Sequence, residues 1–82
     1  MTAQKQNLME ELANRDFIYT DEDHEAIVYE KTTREGSEIV TIFQKRDVAL
    51  HERYNKSGLQ VSSFRYDTEN RAEMFQLLKL VG

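Results

Sequence analysis

Residues 27–66 leave this chain few folds to choose from. Segments rich in β-branched and aromatic residues recur there, at 28–31, 39–43, 48–51 and 60–64, and each is broken by a short polar turn. The turns are residues 34–37, the triplet Lys45, Arg46 and Asp47, and residues 55–58. A parallel crossover needs about a dozen residues or more, so connections this short join antiparallel neighbours. The expected core of the fold is a meander.

Alternation sorts the strands. At 26–32, Ile27 and Tyr29 share one face and Val28 and Glu30 the other. At 38–44 both faces are apolar, Ile39, Thr41 and Phe43 against Val40 and Ile42, which predicts the central strand. At 48–54, Val48, Leu50 and Tyr54 oppose Ala49, His51 and Arg53, and this more amphipathic strand is expected nearer an edge. In the last segment Leu59 and Val61 are out of phase with Phe64 and Tyr66. A β-bulge at Ser62 and Ser63 would bring all four onto one face. Asn55 opening the preceding turn and Gly58 closing it suit a type I turn with a left-handed glycine.

Helices flank the meander. Leu8, Met9, Leu12 and Ala13 recur at helical spacing within residues 3–15, with Lys5 at the border of the stripe and Thr2 as the one N-cap candidate. Residues 17–20 are β-prone and form either a further short strand or a plain helix-to-strand connection, followed by a turn at Asp21, Glu22, Asp23 and His24. Near the C-terminus, Met74, Leu77, Leu78 and Val81 follow the i, i+3, i+4, i+7 pattern, and Phe75 and Leu80 broaden it. Asp67 or Thr68 is the expected cap. Glu69 and Glu73 near the start and Lys79 near the end suit the helix dipole. The expected fold is α+β, a single domain over residues 1–82. It is a two-layer sandwich in which an N-terminal and a C-terminal helix cover one face of an antiparallel meander of 3–5 strands. The other face needs water, a partner or a second copy; if Val40 and Ile42 lie on it, it exposes apolar area that a monomer disfavours.

Composition narrows the chemistry. With no Cys, the chain has neither a disulfide scaffold, nor a thiol nucleophile, nor thiolate metal ligands. No apolar run nears the ~20 residues that span a bilayer, and residues 1–7 carry no hydrophobic leader segment, so a cytoplasmic protein is expected. Residues 21–25 are the one dense set of oxygen ligands, with His24 among them. They lack the glycine and the distal glutamate of an EF-hand, so they read as a solvated turn and no metal or other cofactor is expected. His51 and Glu52 are strand neighbours and point to opposite faces, which excludes them as a dyad; Glu30 is another carboxylate that could pair with His51. Without a nucleophile elbow or a phosphate-binding glycine loop, the chain is not expected to be an enzyme.

Charge is uneven. Residues 1–41 hold four Lys or Arg against ten Asp or Glu, and residues 42–82 hold seven against five. The basic set Lys45, Arg46, Arg53, Lys56 and Arg65 lies among Phe43, Tyr54, Phe64 and Tyr66. Basic residues among aromatics mark sheets that bind single strands of nucleic acid. The net charge of −4 opposes a phosphate backbone, and the same aromatics serve a core. Met9 and Met74 read as core filling. The layout resembles small proteins of Gram-positive bacteria and their phages in size and composition alone, a likeness that gives no residue a role. The expected function is protein interaction or regulation, with a homo-oligomer or a protein partner and no membrane. Docking is expected through the helix-free sheet face or an edge strand, at a surface that includes Lys45, Arg46, Arg53, Tyr54, Lys56 and Arg65. The alternative is a single-stranded nucleic-acid binder using the same basic and aromatic hairpin.

Overall fold

A computed structural model describes residues 1–81. The chain order is α1 (Ala3–Asn14), β1 (Ile18–Glu22), β2 (Ala26–Thr33), β3 (Gly36–Phe43), β4 (Val48–Asn55), β5 (Gln60–Asp67) and α2 (Arg71–Val81). The five strands form one antiparallel sheet in chain order, a simple meander, and both helices lie on one face of it. This is the expected α+β sandwich with the full number of strands. β3 is central, as its two apolar faces predict. β4 lies between β3 and the edge strand β5, nearer an edge than β3 as its amphipathic pattern predicts. No helix is long and apolar enough to cross a membrane among the described residues.

Register assigns the faces, because directly opposed residues share one. Ile27 faces Ile42, Tyr29 faces Val40, Ile42 faces Ala49 and Ala49 faces Tyr66. These side chains meet Leu8 and Leu12 of α1 and Met74, Leu77 and Val81 of α2 in the buried core, with Phe17 beside them. Val40 and Ile42 do not lie on the uncovered face; they are fully buried beneath the helices. The open face receives Ile39, Thr41 and Phe43 instead.

Local chemistry explains the boundaries. Thr2 caps α1, its Oγ1 accepting the Lys5 amide at 3.3 Å, and its hydroxyl donates to Glu69 Oε2, tying the helix start to the approach to α2. At the other end Asp16 adopts φ 70°, and the amides of Phe17 and Asp16 donate to the carbonyls of Leu12 and Ala13. This is a Schellman ending with Asp where glycine is usual, and buried Phe17 and Leu12 supply its apolar contact. β1 extends through Glu22, so the acidic turn begins two residues later than its composition suggests. There the Asp23 carboxylate accepts the amides of Glu25 and Ala26, bonds that hold its pKa below the ordinary value. Gly58 takes the left-handed conformation at φ 83°, and Asn55 Oδ1 accepts the amides of Ser57 and Leu59, as the turn residues predict.

Three expectations are corrected. The irregularity in β5 lies at Val61, between Gln60 facing Tyr54 and Ser62 facing Arg53, and not at the serines. Val61 is the extra residue, so Phe64 and Tyr66 stay in phase with Ser62 while Leu59 falls in the turn. Second, α2 is capped by Asn70, whose Oδ1 accepts the amides of Ala72 and Glu73; Asp67 serves the turn by accepting from Glu69, and Thr68 is buried. Third, Phe75 and Leu80 are exposed, because a helix resting on one sheet face buries only the narrow stripe of Met74, Leu77 and Val81.

Candidate interaction surface

The helix-free face has an apolar centre. Val28 faces Thr41, Thr41 faces Leu50, and Ile39 lies between Glu30 and Glu52. Phe43 opposes Ala26 at one end, and Val48 opposes Asp67 on the β5 side. Val28, Ile39, Phe43, Val48 and Leu50 are all half-buried, shielded by neighbours in the sheet and by no second layer. Ile18, opposite Glu30, is 67% exposed and extends the apolar area to the β1 edge. Asp21, Glu30, Glu52 and Asp67 supply the acids of this face, against Arg65 and an Arg46 guanidinium that stands 4.6 Å from the Phe43 ring centre. The face is therefore apolar at its centre and net acidic around it.

The six surface residues expected from sequence do not form one patch. Lys45 and Arg46 sit in the β3–β4 turn, and Lys56 sits in the β4–β5 turn at the opposite end of the sheet. Arg65 faces Leu50 on the open side, whereas Arg53 faces Glu38 and Ser62 on the helix side. The two arginines expected to project from nearby positions thus point to opposite faces. Tyr54 lies on the open side, its hydroxyl donating to Glu52 Oε2 at 3.0 Å, and that carboxylate raises its pKa. Of the aromatics, Tyr66 is core, Phe43 and Tyr54 are half-buried and Phe64 is exposed.

Sequence reasoning missed two buried polar arrangements. Lys5 is 2% exposed on the core side of α1, and its Nζ donates to the carbonyls of Arg46 at 2.8 Å and Gln44 at 3.2 Å. Asp47 lies 3.9 Å away, so the lysine ties the first helix to the β3–β4 turn. Its place in the apolar stripe was the available signal. His51, 1% exposed, sets Nε2 at 2.9 Å from Glu38 Oε1. The two are diagonal neighbours on β3 and β4, a pairing that needs the register and not sequence adjacency. Neither Glu30 nor Glu52 can be its partner, since both lie on the open face. Glu38 also borders a recess of about 150 Å³ lined by Thr33, Ser37, Arg53, Tyr54 and Asn55. The imidazole Nδ1 is buried without a partner, as is the hydroxyl of Ser62, the diagonal neighbour of His51 on β5. The pair is a buried polar tie between strands. His24 and the acids of the β1–β2 turn are exposed, and no group of three potential metal ligands converges among the described residues.

The edges of the sheet differ. β1 is short and irregular at Thr20, and its Glu22 amide is occupied by the Asp21 carboxylate. β5 is eight residues long, and Val61 and Phe64 on it are both exposed. No known protein family, curated protein or solved structure matches the chain.

Proposed function

We propose that the chain is a small cytoplasmic protein-interaction domain that docks a partner on the open face of its sheet. The observation that carries this reading is the row of half-buried apolar side chains, Val28, Ile39, Leu50 and Phe43, lying on a sheet face with no second layer. Exposed apolar area of this kind on a small protein marks an interaction site. The surrounding acids outnumber the bases, which favours a partner segment that is apolar and carries Lys or Arg. The same acids oppose a phosphate backbone, and with Arg53 turned to the other face the basic and aromatic hairpin has lost a member.

Selection of displayed random peptides on the immobilised chain tests the reading. Enriched sequences are expected to be apolar and basic, to bind less well as salt rises, and to lose binding to Leu50→Glu and to Val28→Lys, each checked for an unaltered circular-dichroism spectrum. Enriched sequences indifferent to both substitutions overturn it. Electrophoretic titration with short oligonucleotides at two salt concentrations addresses the alternative: a low-salt shift abolished by Tyr54→Ala would transfer the open face to nucleic acid.

A further inference from the structure

We propose that β5 is the self-association edge of the molecule, pairing antiparallel with β5 of a second copy about a two-fold axis through Phe64. This surface is separate from the open face, so each proposal can fail without the other.

The two free edges set the choice. Natural sheets protect an edge by making it short, bulged, charged or self-satisfied. β1 has every one of these features: five residues, an irregularity at Thr20, acids at Asp21 and Glu22, and the Glu22 amide held by Asp21 Oδ1. Thr20 also turns its hydroxyl inward to the Val28 carbonyl. β5 is bulged at Val61 near its start and has its Asp67 amide held by Glu73 Oε1 at its end, but between these it is regular from Ser62 to Tyr66 and holds neither Lys nor Pro.

Its hydrogen bonds reveal which backbone groups point outward. The Thr68 amide donates to the Asp47 carbonyl on the β4 side, whereas the Asp67 amide donates the other way, to Glu73 Oε1. Antiparallel strands alternate, so Phe64 and Tyr66 bond to β4 while Ser63 and Arg65 present their amides and carbonyls to the free side. Two-fold pairing requires opposed residues to share a face, and the axis must therefore pass through a residue. An axis at Arg65 sets two guanidinium groups against each other. An axis at Ser63 sets Arg65 against the bulged Val61. An axis at Phe64 pairs Ser63 with the second copy's Arg65 in both directions and opposes Tyr66 to Ser62, with no like charges facing.

The side chains agree with that register. Phe64, 51% exposed, meets its own copy at the close, non-hydrogen-bonded spacing. Leu80, 56% exposed, is two helical turns from Glu73, the residue that reaches over to β5, so it stands on the flank of α2 turned toward this edge. Isologous two-fold contacts are the commonest form of self-association, and this one joins two five-stranded sheets into one continuous sheet. The two open faces then lie side by side, which makes the assembly bivalent for a partner.

Sedimentation equilibrium on the full chain is expected to give twice the 9.7 kDa chain mass. Phe64→Lys is expected to weaken association by at least about tenfold with an unaltered circular-dichroism spectrum. As the chain has no Cys, single introduced thiols test the register. Phe64→Cys, which meets itself within disulfide reach, is expected to cross-link most readily under mild oxidation. Ser63→Cys and Arg65→Cys, each opposed to the other position, are expected to trail it, and Tyr19→Cys on the opposite edge is expected to stay monomeric. A strict monomer at about millimolar concentration overturns the proposal, as does faster cross-linking at Tyr19. A dimer that survives Phe64→Lys but dissociates in Leu50→Glu overturns it too, moving association to the open face.

Discussion

Tyr66 and His51 show how far a residue's chemistry depends on neighbours that the sequence does not reveal. All four tyrosines have raised pKa values, for different reasons. Burial pushes up Tyr66, and burial with a smaller push from Glu22 raises Tyr29. The hydroxyl of Tyr19 donates to the Glu22 carboxylate and is pushed up to about 12, and Tyr54 is raised in the same way by Glu52. A folded-state pKa above the unfolded one gives stability that is present below the unfolded value and lost as pH rises through the folded value. The phenolate absorbance of the folded protein is therefore expected to reach its midpoint above about pH 10, the ordinary tyrosine value. A midpoint at or below that value in the folded protein would contradict this. The buried imidazole makes a second prediction. Glu38→Ala leaves both ring nitrogens of His51 without partners and is expected to cost about 2–3 kcal/mol. His51→Leu removes the already unpaired Nδ1 as well, leaves a carboxylate that retains some access to water, and is expected to cost under about 1.5 kcal/mol. Urea melts of the two variants check the order.

The ends of the elements follow from backbone geometry. Gly36 opens β3 at φ 150° opposite Thr33 and Asn55, and a Cβ placed there would lie 1.9 Å from the Tyr54 carbonyl oxygen. Since that oxygen belongs to a strand, it cannot swing aside. Gly36→Ala is expected to cost more than about 2 kcal/mol, and Gly58→Ala less, because open space surrounds Gly58 and only its left-handed φ resists a side chain. Asp16 is the opposite case, an L side chain where the Schellman ending of α1 favours glycine. Asp16→Gly is expected to raise stability by about 0.5–1 kcal/mol, read as an upward shift in Tm. The two turns with glycine in the right places were legible in the sequence, since their residues act locally. The Val61 bulge was not legible, because it arises from how Arg53 and Tyr54 meet β5 across the sheet.

At the scale of the whole molecule, a meander with helices on one side predicts a gradient of protection. β3, paired on both sides and covered by the core residues Val40 and Ile42, is expected to give the slowest amide exchange. β1, short and exposed throughout, is expected to exchange fastest among the strands. Comparable protection in β1 and β3 would count against the architecture. The same arrangement separates the two kinds of information. Strand order, the central place of residues 39–43 and the helical stripe of Met74, Leu77 and Val81 follow from the sequence alone, because short turns and side-chain periodicity are local constraints. The face that the helices cover does not follow from it, since residues 39–43 are apolar on both sides. Nor does the separation of Arg53 from Arg65, or the union of His51 with Glu38, since each depends on cross-strand register. Register and layer packing bring together residues far apart in the chain, and for that reason the open face and the free β5 edge were decided only by the tertiary structure.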